Sequence, residues 1–272
     1  MGIPAGLRRR LGPAYRRLRR EWQWRTCASD LDLSVVPADG FPHPIAAHHS
    51  PLLRRLAGLD MDLQRSKVTN LRLAAATLDG VVLAPGQRLS FWKQVGPPVA
   101  RRGYVDGLVL VSGALTAGVG GGLCQLTNLL HWMTLHTPLT VVERWRHSYD
   151  VFPDAGRTVP FGSGATCAYP SLDLQIENRT ASTFRLAVGV EGPDLRGSWH
   201  ADVPATHRYE VYEASHLITH DGVGVYHRAN VLRRRVLDLD GELVDDEFIT
   251  HNQARMCYEP ILGAGPVRPA LG

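Results

Sequence analysis

Leu126, Leu129, Leu130 and Met133 recur at i, i+3, i+4 and i+7, and they predict a helix over residues 123–137 that buries this stripe and stops at Pro138. At about 100° per residue Cys124 stands nearly opposite the stripe, on the side shared by Asn128 and His131. A second helical run covers residues 52–79. Leu63, Val68, Leu71, Leu73, Ala74, Ala75 and Leu78 form its apolar face, Arg65, Lys67 and Arg72 lie outside, and Gly80 ends it. Leu11, Tyr15, Leu18 and Trp22 also keep helical spacing, with Arg between them, so residues 13–24 read as a basic helix.

Strand patterns fill most of the rest. Residues 81–84 run into the turn pair Pro85-Gly86, and 104–112 read as a buried strand. Further strands are expected at 141–147, 172–176, 184–190, 209–212, 224–227 and 231–237, the last entering a hairpin turn at Asp240-Gly241. Arg233, Arg234 and Arg235 fall inside that pattern and read as an exposed strand face. Residues 37–51 read as a turn-rich connector and 153–170 as a glycine-rich loop. The fold class is α+β: mostly antiparallel sheet with a central helix that starts at a glycine-rich loop. Three segments follow: a basic arm and connector at 1–50, a core domain at 51–200, and a β-rich extension at 201–272 packed on the core.

With 272 residues, 44 % hydrophobic and 21 % charged, the chain suits one large domain or two small ones. Its net charge of +4 is uneven: residues 8–25 hold eight Arg and one acid, giving +7, so the remainder is about −3. The arm therefore fits either an anionic membrane surface or a docked position on its own domain. No nucleic-acid reader motif stands behind it. The uncharged stretch 107–142 is interrupted by Gly120-Gly121-Gly122, Gln125, Asn128 and Pro138, which speaks against a membrane span. The first residues lack an apolar run after the basic ones, so a cytoplasmic location is expected, peripheral at the inner membrane face if the arm binds lipid, with reduced thiols. Cys27, Cys124, Cys167 and Cys257 form no CxxC pair and the His residues no HExxH, so neither a metal nor a cofactor is expected. His43, His48 and His49 read as solvated loop residues.

Candidate chemistry centres on Gly118-Val119-Gly120-Gly121-Gly122-Leu123-Cys124-Gln125. A thiol at a helix N-terminus is a candidate nucleophile, because the helix dipole and a nearby imidazole both favour the thiolate. His147, twenty-three residues on, is the candidate base. Asp173 would fix its tautomer, with Asp150 as the other candidate. Backbone N–H groups around Gly121 and Gly122 could hold an oxyanion, with Gln125 and Ser148 beside the substrate. Cysteine on a helix start, then histidine, then an acid is the order of papain-like folds. The competing reading is a small core cysteine.

PGQRLSFW at 85–92, Gly103-Tyr104, GGGLCQLTNLLHW at 120–132, VVERWRHSYDV at 141–151, GRTVPFGSGAT at 156–166 and DLQIEN at 173–178 together resemble the VanW family. The resemblance runs from about residue 70 to 178 and continues through YEVYEASH at 209–216 and the segment 228–233. That family is named for an accessory protein of glycopeptide-resistance clusters, and some members are implicated as cysteine-dependent L,D-transpeptidases. The resemblance puts the family's cysteine on Cys124 and its histidine on His147; Asp173 comes from this sequence alone. It implies cysteine acyl transfer on peptidoglycan stem peptides or their soluble or lipid-linked precursors. The alternative is a non-catalytic precursor-binding or accessory protein associated with glycopeptide resistance.

Overall fold

Helix α1 (Ala5–Thr26) and the short α2 (Ala28–Leu31) open the computed structural model, which describes residues 5–53, 61–111, 113–151, 158–222, 224–259 and 268–269. Residues 43–51, expected as connector, instead form strand β1 (His43–Pro51). It lies at the edge of its sheet, with a register shift between Pro44 and Ala46. An edge strand tolerates prolines that a central ladder would reject, which is why the local turn signals lose here to tertiary pairing. Helix α3 (Met61–Ala76) realises the second helical run, and Gly80 follows it at φ +83. Part of that run, 54–60, lies outside the described residues, and 52–53 are not helical.

Next come β2 (Val82–Leu83), β3 (Arg88–Ser90) and α4 (Phe91–Val95), whose first turn is capped by the Ser90 hydroxyl accepting from the Lys93 amide. Strands β4 (Asp106–Val111) and β5 (Ala114–Val119) pair only with each other. The first was expected as a buried strand, yet most of its described side chains are partly exposed: α3 packs against it, but the ribbon joins no larger sheet among the described residues. Helix α5 (Cys124–Leu135) begins at the glycine loop as the periodicity predicts, and Leu126, Leu129, Leu130 and Met133 are all buried. Strands β6 (Thr140–Glu143), β7 (Tyr149–Asp150) and β8 (Gln175–Glu177) follow, then β9 (Phe184–Glu191) and β10 (Asp194–Ala201). The expected strand 141–147 therefore stops at Glu143. His147 sits in the connector before β7, and Asp173 just ahead of β8. The long strands β11 (Arg208–His220), β12 (Tyr226–Leu237) and β13 (Leu243–Met256), with β14 (Arg268–Pro269), complete the chain.

Among the described residues the strands make four sheets. One has the order β1-β10-β9-β2, all antiparallel, and carries α5 across β1 and β10. Gly197 of β10 is bare at the crossing: a Cβ there would lie 2.8 Å from the Met133 methyl. Trp199, fully buried, donates its indole N–H to Thr134 Oγ1 at 3.2 Å. The second sheet, β14-β11-β12-β13-β7, joins the core through β7 and through Arg234, which donates to the carbonyls of Leu135 and Thr137 at the C-terminus of α5. A cation there also suits the helix dipole. A three-stranded sheet, β3-β8-β6, lies between, and residues 158–173 cross from it past the start of α5. The chain is α+β and mostly antiparallel, with its helices few.

Candidate active site

The glycine loop is fixed before any chemistry is considered. Asn70 of α3 is fully buried; its amide donates to the carbonyls of Val105 (3.0 Å) and Gly121 (2.9 Å), and its Oδ1 accepts from the Val105 amide (2.9 Å). Gly107 and Gly121 pass backbone against backbone: a Cβ on Gly107 would lie 2.5 Å from the Gly121 oxygen. Gly122 has φ +93, and a Cβ there would meet Lys67 at 2.5 Å. Only glycine fits these two demands, close approach and positive φ. Together they aim the first residue of α5, Cys124, away from the Leu stripe.

The face of α5 that carries Cys124 grips the following loop. Thr127 Oγ1 donates to the Ala165 carbonyl (2.6 Å), Asn128 Oδ1 accepts from the Ala165 amide (2.7 Å), and His131 Nδ1 bonds the Ser163 carbonyl (2.8 Å). Burial pushes the His131 pKa down to about 3, helped by the Arg144 charge, so the ring is neutral and carries its proton on Nδ1, facing that carbonyl. Arg144 holds the other side of the loop, through the carbonyls of Gly162 and Gly164. The consequence is a second thiol at the helix start. Cys167 Sγ lies 3.8 Å from Cys124 Sγ, and the Cys124 thiol is 3.7 Å from the Cys167 carbonyl.

Cys124 is half-buried. The hydrogen bond from the Cys167 thiol, together with a hydrogen bond from His147 and its electrostatic effect, holds the Cys124 pKa well below the ordinary thiol value, against the opposing effect of burial. Burial and the neighbouring Cys124 thiolate push the Cys167 pKa well up. The two thiols are thus pushed in opposite directions, Cys124 toward the thiolate and Cys167 toward the thiol. Sequence reasoning had passed over Cys167. Its only signal was a cysteine in the glycine-rich loop, and nothing in the spacing tied it to Cys124.

Asp173 is not joined to His147 by any contact among the described residues. Its carboxylate accepts from Ser90 Oγ (2.6 Å), from the Trp92 amide (3.0 Å) and from Gln175 (3.3 Å), and Arg20 lies 3.8 Å away. Burial raises its pKa to about 6 despite those bonds. Its charge reaches the site indirectly, by raising the pKa of Cys167. Asp150 is held by Arg228 and Tyr258. The Gln125 amide nitrogen is taken up by Ser50 Oγ and the Pro51 carbonyl, both at 2.9 Å. Ser148 is exposed beside His147, and its carbonyl accepts from the Arg255 amide. The amides of Gln125, Leu126 and Thr127 turn back to the carbonyls of Gly122 and Leu123. The Gly121 amide, expected to face the substrate, turns instead to the Gly118 carbonyl, whereas the N–H groups of Gly122, Leu123 and Cys124 make no such bond among the described residues.

The arm docks over the same region. Arg20, buried on α1, forms a two-pronged pair with Glu143 (2.7 and 2.5 Å) and donates to the carbonyls of Pro170 and Ser171. Trp24 donates to Ser90 Oγ. An open cleft of about 510 Å³ lies between arm and loop, lined by Arg17, Pro98, Arg101, Val119 and Tyr169 among others. It borders the glycine loop through Val119 and through Pro98, which packs against Gly120.

The VanW like protein family matches residues 66–200, the span from α3 to β10. The vancomycin B-type resistance protein VanW of Enterococcus faecalis is 36 % identical over 201 residues, 74 % of this chain and 73 % of that protein. The chain belongs to the VanW family. The uncharacterized protein YoaR of Bacillus subtilis is 31 % identical over 115 residues, 42 % of this chain and 36 % of that relative. No solved structure matches the chain. The VanW match encloses Asn70, the glycine loop, Cys124, His147, Cys167 and Asp173. The long strands β11 to β13 lie beyond it. No group of three or more His, Cys, Asp or Glu among the described residues could hold a metal ion.

Proposed function

We propose that this VanW-family chain is a cysteine-dependent acyl-transfer enzyme acting on peptidoglycan stem peptides or their precursors. The observation that carries the reading is geometric: Cys124 opens α5 directly behind the glycine loop, with its sulfur 3.8 Å from Cys167 and in hydrogen-bond contact with His147, and these surroundings also hold its pKa low. The Cys124 thiolate attacks an acyl carbon of the donor peptide. The C–S bond forms, the peptide C–N bond breaks, and His147 delivers the proton to the leaving amine. An acceptor amine, or water, then gives its proton to His147 and displaces Cys124 from the thioester. The developing oxyanion faces the Leu123 and Cys124 N–H groups. This is a papain-like division of labour without the acid: Asp173 has its oxygens engaged elsewhere. Arg17 and Arg101 at the cleft suit a peptide that carries free carboxylates.

The test is intact-mass spectrometry after incubation with muropeptides of different stem length. An adduct on Cys124 is expected with the wild type and none with Cys124→Ala. Retained muropeptide binding without any adduct, together with normal function of Cys124→Ala in cells, would favour a precursor-binding accessory role and sink the enzyme reading.

A second observation favours a membrane-surface location for the arm. One face of α1 is docked through Arg20 and Trp24, while Tyr15, Leu18 and Trp22, on the other, are each 65 % exposed. Arg19 and Arg25 flank this stripe. An apolar line edged by cations suits an anionic bilayer surface, such as the cytoplasmic leaflet where lipid-linked precursors lie. No helix among the described residues is long and apolar enough to cross a membrane. Sedimentation with phosphatidylglycerol vesicles should be lost in a Tyr15→Ser, Leu18→Ser, Trp22→Ser triple variant; unchanged sedimentation rejects the stripe as the contact.

A further inference from the structure

Acyl transfer by Cys124 has no use for a second thiol, yet Cys167 is held 3.8 Å from it. Neither residue drifted there by chance of a loose loop. Thr127, Asn128 and His131 of α5 bind the loop backbone at Ser163 and Ala165, and Thr166 and Ala168 make bridges to Trp145 and Leu172 on either side of Cys167. Cys27 and Cys257 are free thiols as well, and neither has a thiol neighbour among the described residues.

We propose that Cys124 and Cys167 form a reversible two-cysteine oxidation site that reacts with hydroperoxides and closes to an internal disulfide. The geometry supports each step. The Cys124 thiolate attacks the peroxide oxygen; an S–O bond forms, the O–O bond breaks, and the alcohol (or water, from hydrogen peroxide) leaves with a proton from His147. Cys124 is then a sulfenic acid. The Cys167 sulfur attacks the Cys124 sulfur, the S–S bond forms, the S–O bond breaks, and water leaves with the Cys167 proton. The two thiols lose two electrons and the peroxide gains them. Bonding at about 2.05 Å requires the sulfurs to close by less than 2 Å between them, within reach of side-chain rotation. A dithiol reductant reopens the bond by exchange. The inference goes beyond acyl transfer and does not rest on it, since it needs only the two sulfurs and His147. If Cys124 is also the acyl nucleophile, the disulfide masks it and Cys167 guards it from irreversible oxidation.

The test treats the full-length chain, in a Cys27→Ser, Cys257→Ser background, with a small excess of hydrogen peroxide and then maps peptides without reduction. The expected product joins the Cys124 and Cys167 peptides, has lost two hydrogens, and is returned to free thiols by dithiothreitol. Removing the partner with Cys167→Ala should drive Cys124 to the sulfinic acid and leave roughly tenfold less thiol recoverable by dithiothreitol. Cys124 sulfinic acid as the main product of the parent, with no cross-linked peptide, overturns the proposal. So does equal thiol recovery with and without Cys167. The parent peptide map stands by itself if Cys167→Ala fails to fold. Loss of muropeptide adducts with the cross-link intact would reject acyl transfer and leave this site standing.

Discussion

Two polar clusters flank the segment from Thr166 to Asp173, and they are held in opposite ways. In the first, Arg20, Glu143 and Asp173 use their charged atoms on one another and on Ser90, Trp92, Trp145 and Gln175. In the second, the Cys124 and Cys167 sulfurs meet each other and the Cys167 carbonyl at 3.8 and 3.7 Å, and Cys124 has His147 beside it, with no ion pair among the three. The difference separates structure from chemistry. Buried charges persist only when every partner is in place, so they cannot also reorganise around a substrate. Thiols need no such network, and their loose bonds are easily exchanged for an acyl carbon or for one another. Asp173 thus belongs to the scaffold, and under the proposed function Cys124 belongs to the reactive set.

The widest separation should come from removing one member of each cluster. Cys124→Ala should lower muropeptide acyl transfer by at least about a thousandfold, as loss of a nucleophile does, with an unchanged melting temperature. Asp173→Ala should do the reverse. Arg20 keeps Glu143 and two carbonyls, but the Ser90 hydroxyl and the Trp92 amide lose their acceptor, and each buried donor left unpaired costs about 1–3 kcal/mol, read by urea unfolding. Activity per folded molecule should fall far less than for Cys124→Ala. If Asp173→Ala folds normally and is dead, Asp173 acts on His147 after all and the comparison breaks.

The pH dependence of stability sharpens the contrast because two buried groups pull in opposite directions. His131 has a folded pKa of about 3 against an ordinary 6.5, so the unfolded chain takes up the proton first and stability is lost as pH falls below 6.5. Asp173 has a folded pKa of about 6 against an ordinary 3.8, so the folded chain keeps a proton that the unfolded one has released, and stability falls as pH rises from 3.8 to 6. The effects, each a few kcal/mol, offset in the wild type between about pH 4 and 6. Asp173→Asn should make acid destabilisation steeper over that window, and His131→Gln should make it shallower or reverse it. Parallel curves for all three proteins would show that neither group is held as described.

Local pattern carried far in this chain where burial is periodic. The α5 stripe and strand β9 follow from spacing that any core would reward. It failed where distant partners decide. Strand β1 reads as loop because Pro44 and Pro51 dominate its pattern, and only the neighbouring β10 makes it a strand. The β4–β5 ribbon is apolar enough to read as buried, but it joins no larger sheet among the described residues, and α3 against β4 leaves most of the ribbon partly exposed. His147 lies beyond the end of its expected strand, in the connector from β6 to β7 that is tied to β13 at Ser148 and Arg255. Cys167 and Asn70 left no pattern at all: each matters through contacts with residues far along the chain.

Asn70 supplies the smallest of these effects and the finest test, because it touches neither cluster. Its side chain bonds Val105 twice and Gly121 once, so Asn70→Ala leaves a buried amide and two carbonyls without their partner. The cost should be about 1–3 kcal/mol, below that of Asp173→Ala. The Arg20 cluster is untouched, so the pH curve should keep its wild-type shape. The glycine loop, however, loses the bond that sets the carbonyl of Gly121 and, through it, the direction of the helix start. Iodoacetamide labelling at neutral pH reads this directly: Cys124 should react faster than the more exposed Cys257 in the wild type, because its thiolate is the better populated, and Asn70→Ala should narrow that gap several-fold. An unaltered gap would mean that the Cys167 and His147 contacts alone set the reactivity of Cys124, independently of how the loop presents it.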